Sequence, residues 1–195
     1  MKLLHIDASA LGDHSVSRTL SAAIVARFQA AGPDMDVEHL DLDASPLPHL
    51  TAASLAGADP VEADRARAVL DGFLAADVIV IGVPMYNFGI PSTLKAWIDR
   101  IAVAGRTFRY TANGAEGLAG GKRVILAIAQ GGVHAPGSAS DFQESYLRFL
   151  FGFLGIQDIE VVRAQGVNLS PETREKAMND ALAALPEPRR LAHAA

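Results

Sequence analysis

Three serines, Ser9, Ser15 and Ser17, follow the first apolar run of the chain in the segment DASALGDHSVSRT (7–19). They stand just before or at the start of a helical pattern, and a helix N-terminus offers unpaired N–H groups and a partial positive charge. Hydroxyls at such an end form a cradle for a phosphate that needs no lysine. Each serine alone could be a simple N-cap, but the cluster favours an anion site. The segment lacks G-x-G-x-x-G and G-x-x-x-x-G-K-[ST], which excludes a dinucleotide fingerprint and a P-loop.

A second unusual segment, GVPMYNFGIP (82–91), follows the apolar run DVIVI (77–81). It places Met85, Tyr86 and Phe88 around one amide, Asn87, where a polar turn is expected. Such side chains could pack on a flat heteroaromatic ring, while the amide and nearby N–H groups meet its polar edge. The composition is equally typical of a turn that caps the core or of a subunit interface, since exposed aromatic residues often mark contacts.

The third segment is AIAQGGVHAPGS (127–138). Gly131 and Gly132 allow the backbone to approach a ligand closely, although a tight turn explains them as well. His134 is a candidate proton donor because imidazole exchanges protons near neutral pH. A single loop histidine is more often only solvated or hydrogen-bonded.

Short apolar runs alternate with helical patterns along the chain. The runs predict five strands near 3–6, 36–42, 78–83, 123–129 and 158–164. This alternation predicts a parallel sheet with helices on both faces. Five strands and five helices in 195 residues match a three-layer α/β arrangement of the flavodoxin-like type, strand order 2-1-3-4-5. Ligands of such sheets bind beyond the carboxyl ends of the strands, where the three segments meet.

Several helix boundaries can be predicted from capping residues. Pro91 is expected at N1 of one helix and Gly105 at its C′ position. Ser140 with Gln143 resembles a capping box ahead of the apolar stretch SYLRFLFGFL, and Ser170 begins the last helix. The apolar circumference of the stretch ending at 155 favours a helix buried in a dimer interface, with a deep core helix as the alternative.

Composition limits the class of protein. Half of the 195 residues are hydrophobic, which predicts a single domain over 1–195 with a loose tail at 186–195. The net charge of −5 argues against nucleic acid or anionic membrane as partners. Cysteine is absent, which excludes disulfides, thiolate metal sites and cysteine nucleophiles, and we predict no metal site. The apolar runs are too short for a membrane span and the N-terminus does not resemble a signal peptide, so we expect a cytoplasmic protein.

Two connections, 43–60 and 105–121, are longer than ordinary loops, which favours a functional role for them. A phosphate cradle, a ring pocket and a glycine turn together describe a mononucleotide with a large flat base, and FMN fits this description. The runs PMYNFGIPSTLKAWID (84–99), GRTFRYTANGAEGL (105–118) and GGVH (131–134) resemble the FMN-dependent NADH azoreductase and quinone reductase family. The resemblance covers nearly the whole chain, from 9 to 158.

The resemblance implies a homodimer with two non-covalently bound FMN molecules at the subunit interface. It also implies a substrate pocket walled by Phe88 and Tyr110 and, from the partner subunit, by Phe153. One departure from the family pattern is AQGG (129–132) where Ser-Arg-Gly-Gly is common, which removes a hydroxyl and a cation near the flavin or nicotinamide. The implied FMN contacts are Ser9, Ser15, Val16 and Ser17 for the phosphate, Met85, Tyr86, Asn87 and Phe88 for the isoalloxazine, and Ala129, Gln130, Gly131 and Gly132 for its pyrimidine side.

The resemblance further implies a ping-pong hydride transfer. NADH or NADPH would reduce N5 of the flavin and leave, and a quinone or azo compound would then take the hydride in the same slot. No side-chain nucleophile or base is obligatory in this scheme, with His134 as a candidate proton donor. A flavodoxin-type electron carrier without its own substrate pocket is the alternative, and a cofactor-free interaction module is also possible. A receiver domain and a G-x-S-x-G hydrolase lack their required residues here.

Overall fold

A five-stranded parallel sheet runs through the middle of the molecule, in a computed structural model that describes residues 1–189. Two further strands form a separate antiparallel hairpin. In the main sheet the order is β2-β1-β3-β6-β7, so the predicted order 2-1-3-4-5 is confirmed once the hairpin strands are left out of the numbering. In chain order the strands are β1 (Lys2–Asp7), β2 (Asp36–Asp41), β3 (Val78–Pro84), β4 (Phe108–Thr111), β5 (Gly114–Gly117), β6 (Arg123–Gln130) and β7 (Asp158–Gln165).

Helices cover both faces of the sheet, as predicted. Side chains of the first and last helices pack on one face, and those of the third, fourth and fifth helices pack on the other. The described residues contain six α-helices and not five, because a short helix lies in the long connection after β2. The helices are α1 (Val16–Ala31), α2 (Ala52–Leu55), α3 (Pro60–Ala75), α4 (Ser92–Ile101), α5 (Gln143–Phe153) and α6 (Pro171–Ala183).

The central strand β3 shows why the apolar runs predict the sheet so well. All seven of its residues are buried. Side chains alternate between faces along a strand, so Val78 and Val80 pack against α1 while Ile79 and Ile81 pack towards α3 and α4. A strand covered on both faces must be apolar at every position, and the sequence of β3 satisfies this almost without exception.

Two of the predicted helix boundaries are wrong in detail. Pro91 is the N-cap of α4 and not its first residue, and the helix ends at Ile101, before Gly105. Gly105 has φ +79 in the turn that leads into β4, and its N–H donates to the carbonyl of Phe108 over 2.7 Å. Its positive φ therefore serves this turn and not the end of the helix.

The capping box predicted for α5 is also absent. The Ser140 hydroxyl lies 2.8 Å from Nδ1 of His134, and an Asp141 oxygen instead accepts a hydrogen bond from the backbone N–H of Glu144. At α6 the prediction is confirmed, since Ser170 Oγ accepts from the backbone N–H of Thr173 over 3.1 Å.

The connection 105–121 forms the hairpin β4–β5, which packs on the end of α5. Gly117 makes this possible, because a Cβ atom there would lie 2.1 Å from the backbone nitrogen of Gly155. Ala119 N–H also donates to the carbonyl of Leu154 over 2.9 Å. The hairpin is therefore fixed to the helix through direct backbone contact.

The described part of the C-terminal segment is held in place. Arg123 donates to the carbonyl of Glu187, and Arg189 forms an ion pair of 2.7 Å with Asp158. The expectation of a loose tail is therefore wrong for 186–189, and its remainder, 190–195, lies outside the described residues. Within 1–189, no helix combines the length and apolar character that crossing a membrane requires.

Candidate functional site

The three predicted segments meet at the carboxyl edge of the sheet. They follow β1, β3 and β6, which are parallel neighbours and so end at the same edge. The backbone N–H of Met85 donates to the carbonyl of Ala129 over 2.8 Å, which joins the second and third segments. The backbone N–H of Ala10 donates to the hydroxyl of Tyr86 over 3.1 Å, which joins the first and second. The structure thus brings together the residues that the sequence assigned to a cradle, a ring pocket and a glycine turn.

The serine segment ends at the N-terminus of α1, where Ser15, Val16 and Ser17 form what we call the serine mouth of the helix. Ser15 is the N-cap, and its Oγ accepts from the backbone N–H of Arg18 over 3.3 Å. Val16 and Ser17 occupy the first two helical positions, where N–H groups have no partner inside their own helix. The hydroxyls of Ser15 and Ser17 lie 3.1 Å apart and are buried. Ser15 is therefore an N-cap, and the mouth still offers paired hydroxyls and helical N–H groups to an anion.

Ser9 connects this mouth to the second segment. Its buried hydroxyl accepts from the backbone N–H of Leu11 and lies 3.3 Å from the hydroxyl of Tyr86. The phenol of Tyr86 is consequently fixed against the first segment by two polar contacts. The ring of Tyr86, which itself belongs to the turn after β3, therefore lies next to the serine segment.

Arg18 is a site residue that the sequence analysis missed. Its Nε and Nη2 atoms donate to the carbonyl of Ser9 over 3.2 and 2.8 Å, and Nη1 and Nη2 donate to Asp41 over 2.6 and 2.8 Å. These hydrogen bonds hold the pKa of the Asp41 carboxyl well below its ordinary value. A signal existed in the sequence, an arginine at N3 of a helix and an acid at the end of the second strand. Their pairing depends on the register of β1 and β2, which spacing does not reveal.

Gly82 allows α1 to sit this close to the sheet. A Cβ atom at this position would lie 2.7 Å from Oδ1 of Asp7 and 3.1 Å from the carbonyl oxygen of Ser17. Burial alone would raise the pKa of Asp7, but the nearby His5 and the hydrogen bonds with Ser21 and His39 lower it below its ordinary value. An ionised carboxylate thus lies directly beneath the first turn of the helix.

The turn after β3 has a strained backbone. Tyr86 and Gly89 exchange backbone hydrogen bonds of 3.1 and 3.0 Å across Asn87 and Phe88, whose φ angles are +49 and +68. Two positive φ values in a two-residue turn are those of type I′, which favours Asn-Gly. A phenylalanine at the second position is unfavourable, and such strain tends to occur at functional sites. Phe88 is 54% exposed, which supports a ring pocket over a turn that caps the core.

The side chain of Gln130 does not reach the cleft. It is buried, and its amide donates to Gln143 Oε1 over 3.1 Å and accepts from Gln165 Nε2 over 2.8 Å. Gln143 in turn donates to the carbonyl of Val83 over 3.0 Å. The residue that departs from the family pattern therefore ties together the ends of β3, β6 and β7, and only its backbone can take part in a cofactor site.

The glycine turn faces a second residue that the sequence analysis missed. A Cβ atom at Gly131 would lie 2.7 Å from Nδ2 of Asn168, so a side chain at this position would displace the Asn168 amide. Next to this turn, the ring of His134 meets that of Phe88 edge-on, with centroids 5.8 Å apart. His134 thus lies beside the predicted ring pocket, and its role as a proton donor stays a prediction.

Tyr110 and Phe153 do not join Phe88 within one chain. Phe108 packs against both, with ring centroids 5.6 Å from Tyr110 and 4.7 Å from Phe153. Helix α5 leads from the carboxyl edge of the sheet to the start of β7, so its last residue, Phe153, lies at the opposite, amino edge. Within one chain Tyr110 therefore belongs to the cluster of Phe108 and Phe153, and its place in the substrate pocket stays a prediction.

An exposed aromatic groove lies between α4 and α5, next to the strained turn. Its volume is about 750 Å³, and Gly89 and Ile90 form its edge. Phe142 and Phe149 line it and are 62% and 75% exposed. An apolar surface of this kind is typical of an interface.

The chemistry of the assembled groups fits FMN. Helical N–H groups and serine hydroxyls suit a phosphate, and a thioether with two aromatic rings, from Met85, Tyr86 and Phe88, suits the face and edge of a flat ring. Gly131 and Gly132 are partly exposed, so their backbone N–H groups could meet the polar edge of such a ring, while their carbonyls already accept from the N–H groups of Asn168 and Gly166.

Comparison with known proteins agrees with this arrangement. The model of a family described as having a flavodoxin-like fold matches residues 1–187. A curated relative from Xanthomonas axonopodis pv. citri (strain 306), named FMN-dependent NADH:quinone oxidoreductase 1, is 64% identical over 187 residues, which cover 96% of each chain.

Two solved structures are similar over most of their length. An azoreductase from Bacillus anthracis str. Sterne superimposes with a TM-score of 0.85 and 31% identity, covering 94% of this chain and 95% of that one. An FMN-dependent NADH-azoreductase from Bacillus anthracis str. Ames Ancestor, solved in complex with FMN, superimposes with a TM-score of 0.84 and 29% identity. That match covers 94% of this chain and 97% of the other.

Proposed function

The chain belongs to the flavodoxin-like-fold family, and we propose that it is an FMN-dependent oxidoreductase that transfers hydride from NADH or NADPH to quinones and azo compounds. The identity of 64% to a named FMN-dependent NADH:quinone oxidoreductase supports the quinone activity. The similarity to azoreductase structures at about a third identity supports the azo activity.

The observation that carries this proposal is the joining of three loops at one edge of the sheet. Tyr86 links the serine mouth to the strained turn, and Met85 links that turn to the end of β6. Ser9, Ser15, Val16 and Ser17 would hold the phosphate of FMN. Met85, Tyr86, Asn87 and Phe88 would line the isoalloxazine, with the backbone of 129–132 at its pyrimidine side.

Bound FMN supplies the redox chemistry, since its ring accepts a hydride from a reduced nicotinamide and returns it to an acceptor. The protein residues hold and orient the reactants. Phe88 is exposed in the tight turn closed by Tyr86 and Gly89, so it can form one wall of a slot that admits flat molecules. A single slot used in turn by donor and acceptor predicts a ping-pong mechanism.

No side chain is positioned as an obligatory base in this scheme. Protons can come from water, and His134 is the candidate donor because its ring adjoins Phe88. Its Nδ1 atom lies 2.8 Å from the hydroxyl of Ser140, which fixes the ring orientation.

The enzyme acts as a homodimer in this proposal. The aromatic groove of Phe142 and Phe149 adjoins the strained turn, so a second subunit seated there would border the FMN site. Phe108 packs against both Tyr110 and Phe153, so the two rings belong to one cluster. Both would therefore reach the pocket as Tyr110 and Phe153 of the partner subunit.

Initial-rate kinetics test the shared slot. Rates are measured against NADH at several fixed concentrations of a water-soluble quinone, with no protein partner present. Parallel double-reciprocal lines are expected. Intersecting lines would contradict a slot used in turn, and NADH oxidation only in the presence of a partner protein would favour an electron carrier.

A further inference from the structure

Two histidines and an aspartate converge beside the serine segment without a role in the proposed reaction. His5 and Asp7 lie two residues apart on β1 and so project from the same face. His39 lies directly opposite His5 on the parallel strand β2. The two imidazole rings stack with their centroids 4.5 Å apart and an interplanar angle of 27°.

The polar atoms of this cluster point at one another. Oδ2 of Asp7 lies 3.0 Å from Nε2 of His39 and 3.5 Å from Nε2 of His5. The Nε2 atom of His5 is buried and makes no hydrogen bond within the described residues. His5 is only 8% exposed, so this nitrogen is shielded from solvent, with Oδ2 of Asp7 3.5 Å away.

We propose that His5, Asp7 and His39 bind a divalent transition-metal ion, with Zn²⁺ as the best match. Two imidazole nitrogens and one carboxylate oxygen form a typical zinc ligand set with an open fourth position. In a tetrahedral zinc site, ligand atoms about 2.1 Å from the metal lie about 3.4 Å from one another. The two measured separations fall on either side of that value, and all three ligand atoms lie within 4.8 Å of one another.

The surroundings of Asp7 orient it for this role. The hydroxyl of Ser21 donates to its other oxygen, Oδ1, over 2.8 Å, which leaves Oδ2 for the metal. Outer contacts of this kind fix metal-binding carboxylates in place. Lower metal affinity in a Ser21→Ala variant is therefore expected.

The positive charge of Arg18, which lies near Asp7, is already paired with the carboxylate of Asp41. Nη1 of Arg18 lies 3.9 Å from Oδ2 of Asp7, but the same guanidinium makes two hydrogen bonds to Asp41. The carboxylates of Asp7 and Asp41 and the guanidinium of Arg18 together carry one net negative charge. A divalent cation would thus meet a net attraction.

The site is open on one side. The side chain of His39 is 48% exposed while that of His5 is 10% exposed, so an ion can enter past His39. Water would fill the fourth position, which makes this an exchangeable site that links β1 to β2. The sequence analysis predicted no metal site because His-x-Asp and a histidine 34 positions away meet only through strand register.

Zinc binding to the FMN-loaded, tag-free protein tests the proposal. Equilibrium dialysis against ZnCl₂, followed by metal analysis, should show one tightly bound ion per chain. A His39→Gln variant should bind at least about tenfold more weakly, and Ser21→Ala should bind about tenfold more weakly. His49→Gln, which changes an exposed histidine elsewhere, should retain the wild-type affinity.

Because His39 is exposed, its substitution should leave the fold intact. The FMN spectrum and the thermal midpoint of the variant check this. A zinc-dependent rise of the thermal midpoint that disappears only in His39→Gln and Asp7→Asn would support the site. Equal zinc binding by His39→Gln and His49→Gln, or no stoichiometric binding by the wild type, would overturn it.

Discussion

At the scale of single residues, the largely buried side chain of Arg18 connects the first segment to β2. One planar guanidinium holds the carbonyl of Ser9 at the start of the cradle and the carboxylate of Asp41 at the end of β2. The fork geometry of arginine allows both contacts at once, which the single point charge of lysine does not. The shape of the phosphate cradle therefore depends on this residue without any contact to the phosphate being required.

An Arg18→Lys variant should bind FMN about tenfold more weakly, because hydrogen bonds from a charged donor that hold the cradle are lost. Fluorescence titration of the apoprotein with FMN measures this change. Arg27→Lys on the same helix is the control, since its partner, Glu187, lies far from the cradle. Equal affinities in the two variants would show that Arg18 does not position the site.

Substitutions of Phe88 can measure the free-energy cost of the positive φ angle in the turn after β3. Replacing it with glycine should give a protein about 1 kcal/mol more stable than replacing it with alanine, because only glycine adopts φ +68 without penalty. Both variants lose the ring, so the comparison isolates the backbone. Urea unfolding provides the free energies, and quinone turnover should fall in both.

Equal stability of the glycine and alanine variants would mean that the backbone relaxes and stores no strain at this position. Unchanged quinone turnover in both would remove Phe88 from the wall of the slot.

Part of the site could be predicted from residue types alone. The rest depends on contacts between residues that are distant in the sequence. The Ser15 cap and the aromatic turn could be read from residue type, because capping and turn chemistry are local. The buried direction of Gln130 could not, since its partners Gln143 and Gln165 are 13 and 35 positions away. Hydrogen bonds between distant segments follow from the fold and not from local pattern.

At the scale of secondary-structure elements, the close packing of α1 against β3 determines where the phosphate cradle lies. Gly82→Ala should lower the free energy of unfolding by about 1–3 kcal/mol, because its Cβ would press on the carbonyl of Ser17 and on Asp7. FMN affinity should fall as well, since the helix mouth must shift. Chemical denaturation and FMN titration together measure both effects.

Gly72→Ala is the matched control for this change. Gly72 lies in α3, and a Cβ there would make an ordinary contact of 3.5 Å with the flexible carboxylate of Glu38. Replacing a helical glycine should stabilise the protein by about 0.5–1 kcal/mol. A Gly82→Ala variant as stable as Gly72→Ala would refute the close seating of α1.

The strands were more predictable than the smaller elements. Strands β3 and β6 are buried at every position, so their apolar runs are unambiguous. The hairpin β4–β5 is largely exposed and shows no apolar alternation, so its pairing was not apparent. The start of α5 was misplaced because Asp141 supplies the capping contact, while Ser140 turns to His134.

At the scale of the whole molecule, the exposed groove between α4 and α5 points to a second subunit. Phe149→Glu should convert the dimer to a monomer, because it places a charge in the apolar surface to be buried. Sedimentation velocity at micromolar concentration measures the change. Quinone reduction should fall with it, since the partner's Tyr110 and the partner's Phe153 would be lost from the pocket.

Val61→Glu is the control for the loss of an exposed apolar side chain, since Val61 is 79% exposed on α3, outside the groove. It should remain dimeric and active. A wild-type protein that sediments as a monomer, or a dimeric Phe149→Glu variant, would place the interface elsewhere or remove it.

The sequence supports the proposed dimer only in outline. The apolar pattern of 146–155 indicated a helix with more apolar surface than one domain covers, and the exposure of Phe149 agrees with this. The subunit from which Tyr110 would reach the proposed pocket could not be predicted, because its packing with Phe108 and Phe153 depends on how the hairpin lies on α5.

The central claim is that FMN binds at the carboxyl edge and passes electrons from a nicotinamide to a quinone in separate steps. An anaerobic absorbance titration of the FMN-reconstituted protein tests it most directly. One equivalent of NADH should bleach the oxidised flavin band near about 450 nm, and a quinone added after removal of NAD⁺ should restore it. A protein that retains no flavin after incubation with excess FMN, or one whose flavin NADH reduces only when the quinone is also present, would contradict the account.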